Sequence, residues 1–73
     1  MNENFAGELR KGLLRDNEYA FSLHGRDYLA YGWDQCDGYV LNLEADGELI
    51  WQTTAPQKNV CADEFLRYYS AEL

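Results

Sequence analysis

Residue types that could perform nucleophilic or acid–base chemistry are few and widely spaced in this 73-residue sequence. It contains one histidine, His24, and two cysteines, Cys36 and Cys61. A nucleophile–histidine–carboxylate triad would have to use His24, which follows a predicted strand and lies at a predicted hairpin tip open to solvent. We therefore expect no catalytic residue, and the sequence is interpreted as that of a protein that is not an enzyme.

Metal and cofactor sites are not expected either. A structural zinc site uses four cysteine or histidine ligands, and the acidic segment Asp34–Gly38 lacks the twelve-residue ligand pattern of a calcium loop. The glycines are spaced as turn and strand positions, unlike those of a phosphate-binding loop. Two cysteines are too few for the disulfide framework of a small secreted domain, so both are expected to be free thiols.

The charge balance indicates which partners the chain could have. Thirteen acidic residues face six basic ones, and the net charge is −7. Direct binding to nucleic acid or to an anionic membrane is not expected, because both need a basic surface on the protein. The excess acid either serves solubility or steers the chain toward a basic partner.

Two helices are predicted from apolar residues that recur every three or four positions. In residues 3–15 these are Phe5, Leu9 and Leu13, and in residues 60–72 the apolar stripe includes Ala62, Leu66 and Tyr69. Asn59 is positioned to cap the second helix.

Four strands are predicted between the helices, at residues 18–24, 27–33, 39–44 and 48–54. Glycine-containing turns separate them, because glycine accepts the positive φ of tight hairpins. The first turn is His24-Gly25 or Gly25-Arg26, the second uses Asp37-Gly38, and the third is a type I turn closed by Gly47 in a left-handed bulge. Neighbouring strands joined by such turns are antiparallel, so the order is α-β-β-β-β-α.

The fold class is therefore α+β, with a four-stranded antiparallel meander flanked by an N-terminal and a C-terminal helix, in one small domain spanning residues 1–73. A two-residue second turn places nine side chains on one sheet face: Tyr19, Phe21, Leu23, Tyr28, Ala30, Leu41, Leu43, Leu49 and Trp51. The opposite face holds Leu29, Tyr31, Trp33, Val40 and Ile50. Which face each helix covers stays open, and the second face is apolar enough to need a helix or a partner.

Candidate binding residues follow from the meander, in which alternate turns lie at the same end of the sheet. One end gathers Asp27, Glu44, Asp46 and Glu48, and the other gathers Asp16, Glu18, Asp34 and Asp37. Carboxylates can occupy a site built for phosphates, because arginine and lysine bind either group. Tyr31 and Trp33 join the first group as candidates, since tyrosine and tryptophan are enriched at interface centres.

We expect a protein that binds and modulates or inhibits a larger protein with a basic surface. By analogy of type alone, small acidic inhibitors of nucleic-acid enzymes from phages and mobile elements, including anti-CRISPR and DNA-mimic proteins, have this character. The alternative is an accessory or regulatory domain that self-associates through the second sheet face, so monomer and homodimer both stay open. No stretch has the length and hydrophobicity of a membrane span or the features of a signal peptide, and a cytoplasmic location is expected.

Overall fold

The computed structural model describes residues 3–73 and consists of two helices and one antiparallel sheet. Helix α1 (Glu3–Asp16) precedes four strands, and helix α2 (Lys58–Glu72) follows them; the strands are β1 (Glu18–Leu23), β2 (Arg26–Gln35), β3 (Gly38–Ala45) and β4 (Glu48–Ala55). The strands lie side by side in chain order. The predicted α+β meander is confirmed.

Both helices pack on the same face of the sheet. Leu9 and Leu13 of α1 are buried in one cluster with Phe65 of α2 and with Leu43 of the sheet. Helix α1 lies against β1, whereas α2 lies against β3 and β4. We call this side of the sheet the covered face and the other side the open face. The apolar stripe predicted for α1 is therefore the surface that it buries.

The first two turns fix which side chains share a face. His24 and Gly25 form the β1–β2 turn with φ angles of 52° and 77°, and Leu23 lies opposite Arg26. The β2–β3 turn uses Cys36-Asp37, because Gln35 lies opposite Gly38. The predicted turn at Asp37-Gly38 is therefore wrong, because the turn lies one residue earlier in the chain. This shifts the register by two positions, so the side chains of β2 and β3 keep their predicted faces.

The β3–β4 hairpin differs from the prediction in its turn and in its register. Asp46 and Gly47 have φ angles of 51° and 86° and form a two-residue turn, in place of the expected type I turn. Strand β4 contains one extra residue in a bulge further from the turn. On either side of this bulge, Leu43 lies opposite Trp51 and Glu44 lies opposite Leu49. Leu49 is therefore 51% exposed instead of lying in the core. Trp51 is half-buried and stacks on Tyr68, with ring centroids 5.1 Å apart.

Helix α2 begins two residues earlier than predicted, at Lys58. Gln57 occupies the N-cap position without a side-chain hydrogen bond, so the expected cap by Asn59 is wrong. The Asn59 side chain instead accepts a hydrogen bond from Arg10, which also contacts Asp63 at 2.6 Å. The start of α2 is thus tied to α1 through Arg10.

Gly32 provides a test of the sheet packing. A Cβ atom at this position would lie 2.2 Å from the Val40 carbonyl oxygen and 2.6 Å from the Tyr39 ring. We expect Gly32→Ala to reduce the free energy of unfolding by about 1–3 kcal/mol through overpacking. Urea unfolding monitored by circular dichroism measures this loss.

Gly7 is the matched control, since a Cβ atom there meets nothing within 4 Å. Gly7→Ala should raise the free energy of unfolding by up to about 1 kcal/mol, because alanine is the better helix former. Equal effects of the two substitutions would contradict the close packing around Gly32.

The burial of Tyr39 predicts how the stability of the fold changes at alkaline pH. Its side chain is 2% exposed, and its hydroxyl donates to Asn17 Oδ1 at 2.8 Å. Burial, followed by the charge of Asp34, raises the pKa of Tyr39 from 10.0 to about 12. The folded state thus favours the neutral phenol, and this contribution to stability is complete below pH 10 and is lost as pH rises toward 12.

Tyr39→Phe should cost about 1 kcal/mol at neutral pH through the lost hydrogen bond. Between pH 10 and 12 the variant should lose less stability than the wild type, so the two free energies of unfolding converge. Urea titrations across this range measure both proteins, and a difference that is independent of pH would contradict the burial of a neutral Tyr39.

Candidate functional site: the open face of the sheet

The open face combines apolar, aromatic and acidic side chains, and no helix among residues 3–73 covers it. Three large side chains of the strands are substantially exposed: Trp33 at 45%, Leu49 at 51% and Ile50 at 37%. Leu29 and Tyr31, which lie on the same face of β2, are half-buried. Trp33 lies opposite Val40, toward the β2–β3 turn, whereas Leu49 lies opposite Glu44, toward the β3–β4 turn, so the exposed apolar side chains are distributed along the face.

The predicted pair Tyr31 and Trp33 lies together on this face. Their rings stack with centroids 6.2 Å apart and planes inclined by 29°. The Tyr31 hydroxyl donates to Glu44 Oε2 at 2.8 Å, which joins the aromatic pair to a carboxylate of β3. The aromatic pair and Glu44, which the sequence analysis treated as separate candidates, are thus neighbours.

The remaining acidic candidates meet at the end of the sheet that holds the first and third turns. The Asp46 backbone amide donates to the Asp27 carbonyl at 2.7 Å, and the Asp27 amide donates to Asp46 Oδ1 at 3.1 Å. A surface groove is lined by Asp27, Leu29, Glu44 and Asp46. Glu48 follows the same turn and lies opposite Ala45. The structure therefore brings all four acidic candidates to one end of the sheet. Glu44 contacts the aromatic pair on the open face, whereas Glu48 lies on the covered side of the sheet with its partner Ala45.

Asp46 differs from the other three because its charge is already used within the protein. Arg26 Nε donates to Asp46 Oδ2 at 3.2 Å. The hydrogen bond from the Asp27 amide, followed by the one from Arg26, lowers the pKa of the Asp46 carboxyl. Asp46 also adopts the positive φ of the turn. Its main role visible in the structure is to hold the turn.

Negative charge is concentrated in the sheet. Residues 18–57 contain one basic residue, Arg26, and seven acidic ones: Glu18, Asp27, Asp34, Asp37, Glu44, Asp46 and Glu48. These residues account for −6 of the net charge of −7, while the two helical segments are almost balanced. Among residues 3–73, Asp46 is the one carboxylate of the sheet that forms a salt bridge.

Two features of this face were missed by the sequence analysis. Leu49 joins the open face because of the bulge, for which the sequence carries no recognisable signal. Glu18 lies directly opposite Tyr31, although it was assigned only to the other end of the sheet. The His24-Gly25 turn, which was one of the two alternatives considered, would have given this pairing by counting back along the hairpin.

The nucleophile and base candidates are separated in the structure. His24 lies in the β1–β2 turn at one end of the sheet, whereas Cys36 lies in the β2–β3 turn at the other. Both cysteines are free, and Cys61 belongs to α2, where it is buried in the core cluster. In residues 3–73, no three histidine, cysteine or acidic side chains are grouped closely enough to hold a metal ion.

Neither helix described in residues 3–73 combines the length and the hydrophobicity needed to cross a membrane. No family model matches the chain, and no curated protein or solved structure is significantly similar to it.

The Asp46 contacts predict how the turn responds to acid. Because the pKa of Asp46 is lowered below its ordinary value of 3.8, its carboxylate stabilises the fold above that pH, and the contribution is lost as pH falls below it. Asp46→Asn keeps an oxygen acceptor and a residue that tolerates positive φ, but removes the charge. The variant should be less stable than the wild type at neutral pH, and the difference should shrink as pH falls below 3.8.

Thermal unfolding followed across this pH range measures the difference. Glu72→Gln, on α2, removes one carboxylate far from the turn and corrects for the change in net charge. A gap between wild type and Asp46→Asn that stays constant into acid would show that the turn does not depend on the charge of Asp46.

Proposed function

We propose that this chain is a non-enzymatic binding protein that docks through its open face on a basic surface of a larger protein and thereby modulates or inhibits it. The observation that carries the proposal is the uncovered sheet face, where exposed Trp33, Leu49 and Ile50 lie among carboxylates. Aromatic and apolar side chains supply the desolvated centre of an interface, and charges at its rim supply steering and register.

The proposed partner is a protein that binds nucleic acid, in the manner of anti-CRISPR or DNA-mimic inhibitors. Arginine and lysine side chains in such a protein are arranged to contact phosphates, and they bind carboxylates through the same charge-assisted hydrogen bonds. Direct contact with nucleic acid is not part of the proposal, because the acidic sheet repels phosphates. A cytoplasmic location belongs to the proposal, since such enzymes work there in bacterial cells.

Self-association through the open face is the second candidate, favoured by the same exposed Trp33, Leu49 and Ile50. A face-to-face dimer would place the acidic open face of one copy, with Glu18, Asp27 and Glu44, against the equally acidic face of the other, which is why we place it second. Sedimentation velocity at high protein concentration distinguishes the two candidates. A monomeric protein would reject self-association. A dimer that dissociates in the Trp33→Ala variant would instead reject docking of the open face on a different protein.

The binding experiment compares two variants with equal changes in charge. Glu44→Lys/Glu48→Lys reverses Glu44 on the open face and Glu48 at the adjoining β3–β4 turn, and it keeps Asp46, which holds that turn. Asp34→Lys/Asp37→Lys makes the same change at the opposite end of the sheet. Wild type and both variants serve as baits in lysate of the native host, and the affinity for each captured protein is then measured in purified form at low and moderate salt.

We expect a captured protein whose affinity falls by about tenfold or more with Glu44→Lys/Glu48→Lys and much less with Asp34→Lys/Asp37→Lys. The affinity for the wild type should also fall as salt increases. Equal retention by both variants would reject the open face as the site. Competition with duplex DNA tests the finer proposal: if DNA does not displace the chain, the partner surface is not a nucleic-acid site.

A further inference from the structure

The arrangement of side chains on the open face indicates which basic side chain it would bind. We infer that it recognises arginine: a guanidinium of the partner stacks on the Tyr31–Trp33 pair while its N–H groups donate to the carboxylates beside Tyr31. This inference rests on the proposed function, because it specifies the chemistry of a partner that docks on the same face.

The geometry places an aromatic surface between two carboxylates. Glu44 lies on the β3 side of Tyr31 and accepts its hydroxyl at 2.8 Å. Glu18 lies on the β1 side, directly opposite Tyr31 in the strand register. Trp33 continues the stack along β2 and is 45% exposed, so its ring is accessible. A flat cation placed on these rings would have a carboxylate in reach on either side.

Arginine fits this arrangement better than lysine. The guanidinium group is planar, stacks on aromatic rings and presents several N–H donors in its own plane. It can therefore contact the rings with its face and the carboxylates with its edge at the same time. The lysine ammonium is compact and strongly hydrated, so it cannot satisfy both kinds of contact with one flat surface.

The protein contains the same arrangement internally. The guanidinium carbon of Arg26 lies 5.6 Å from the centre of the Tyr28 ring, while Arg26 Nε donates to Asp46 at 3.2 Å. A tyrosine ring and a neighbouring carboxylate thus already hold one arginine in this fold. On the open face, Tyr31 and Glu44 offer the corresponding pair without an arginine from residues 3–73.

Charge complementarity favours a different protein over a second copy as the source of this arginine. Residues 18–57 carry −6 in total, and their one arginine, Arg26, is engaged with Asp46. A second copy that presented its own sheet would bring carboxylates toward carboxylates. A basic protein presents the opposite charge to the whole face.

Two model peptides test the inference without requiring the partner. Their sequences are identical except at the basic positions, which are all arginine in one peptide and all lysine in the other. Their net charges are therefore equal. Binding is followed at low ionic strength by ¹H–¹⁵N NMR. The indole signal of Trp33 reports on the open face, and that of Trp51, on the covered face, is the internal control.

We expect the arginine peptide to bind about three- to fivefold more tightly than the lysine peptide and to shift the Trp33 indole but not the Trp51 indole. Trp33→Leu removes the π surface and Glu44→Gln removes the charge while keeping an acceptor for Tyr31. Each should bring the affinities for the two peptides toward equality. Chemical-shift dispersion of the core signals verifies that both variants are folded.

Equal binding of the two peptides would overturn the arginine inference and leave attraction by charge alone, which the proposed function allows. Failure of both peptides to bind would also overturn the inference. The proposed function is decided separately, by the response of the captured protein to Glu44→Lys/Glu48→Lys.

Discussion

Two helices side by side have enough width to cover one face of a four-stranded sheet, and this limit shapes the rest of the molecule. Neighbouring strands are about 4.8 Å apart and helices about 10 Å across, so a pair of helices matches the width of four strands. Leu9 and Leu13 of α1 and Phe65 of α2 reach one cluster on the covered face. No helix is then left among residues 3–73 for the other face, and its apolar residues stay at the surface.

The open face is nevertheless ordered by its own contacts. Val40 and Asn42 of the central strand β3 are buried, although no helix lies over them. Gln52 on β4 donates to Asn42 Oδ1 at 2.7 Å, and the Tyr31 hydroxyl is held by Glu44. Side chains fixed in this way would lose little conformational freedom in the proposed docking, which lowers its entropic cost.

The sequence predicted the fold well where two-residue turns and strand alternation determine it. His24-Gly25 was one of the two turns considered, and either assignment keeps Tyr19, Phe21 and Leu23 on the covered face. The second turn was misplaced without consequence, because the error was an even number of residues. The β3–β4 hairpin was not predictable in the same way: Asp46-Gly47 suits several turn types, and a bulge depends on how the strands twist and pack.

The same distinction applies to the candidate site. Local charge and strand order were enough to predict that Asp27, Glu44 and Asp46 gather at one end of the sheet. Sequence alone could not show that Arg26 neutralises Asp46, because the contact joins residues that are 20 positions apart in the chain. Nor could it show that Tyr31 bonds to Glu44, which depends on the diagonal register between β2 and β3.

The negative charge is distributed unevenly between the sheet and the helical segments. Self-repulsion among the carboxylates of the sheet works against folding, and a chain selected for solubility alone could reduce it by spreading the acids over both layers. Instead, residues 18–57 carry −6, whereas the helical segments hold nearly equal numbers of acids and bases, and Arg10 forms a salt bridge with Asp63. The acids are concentrated on the one layer that also exposes Trp33, Leu49 and Ile50. In the proposed function, a basic partner would relieve the repulsion and cover the apolar residues in the same event.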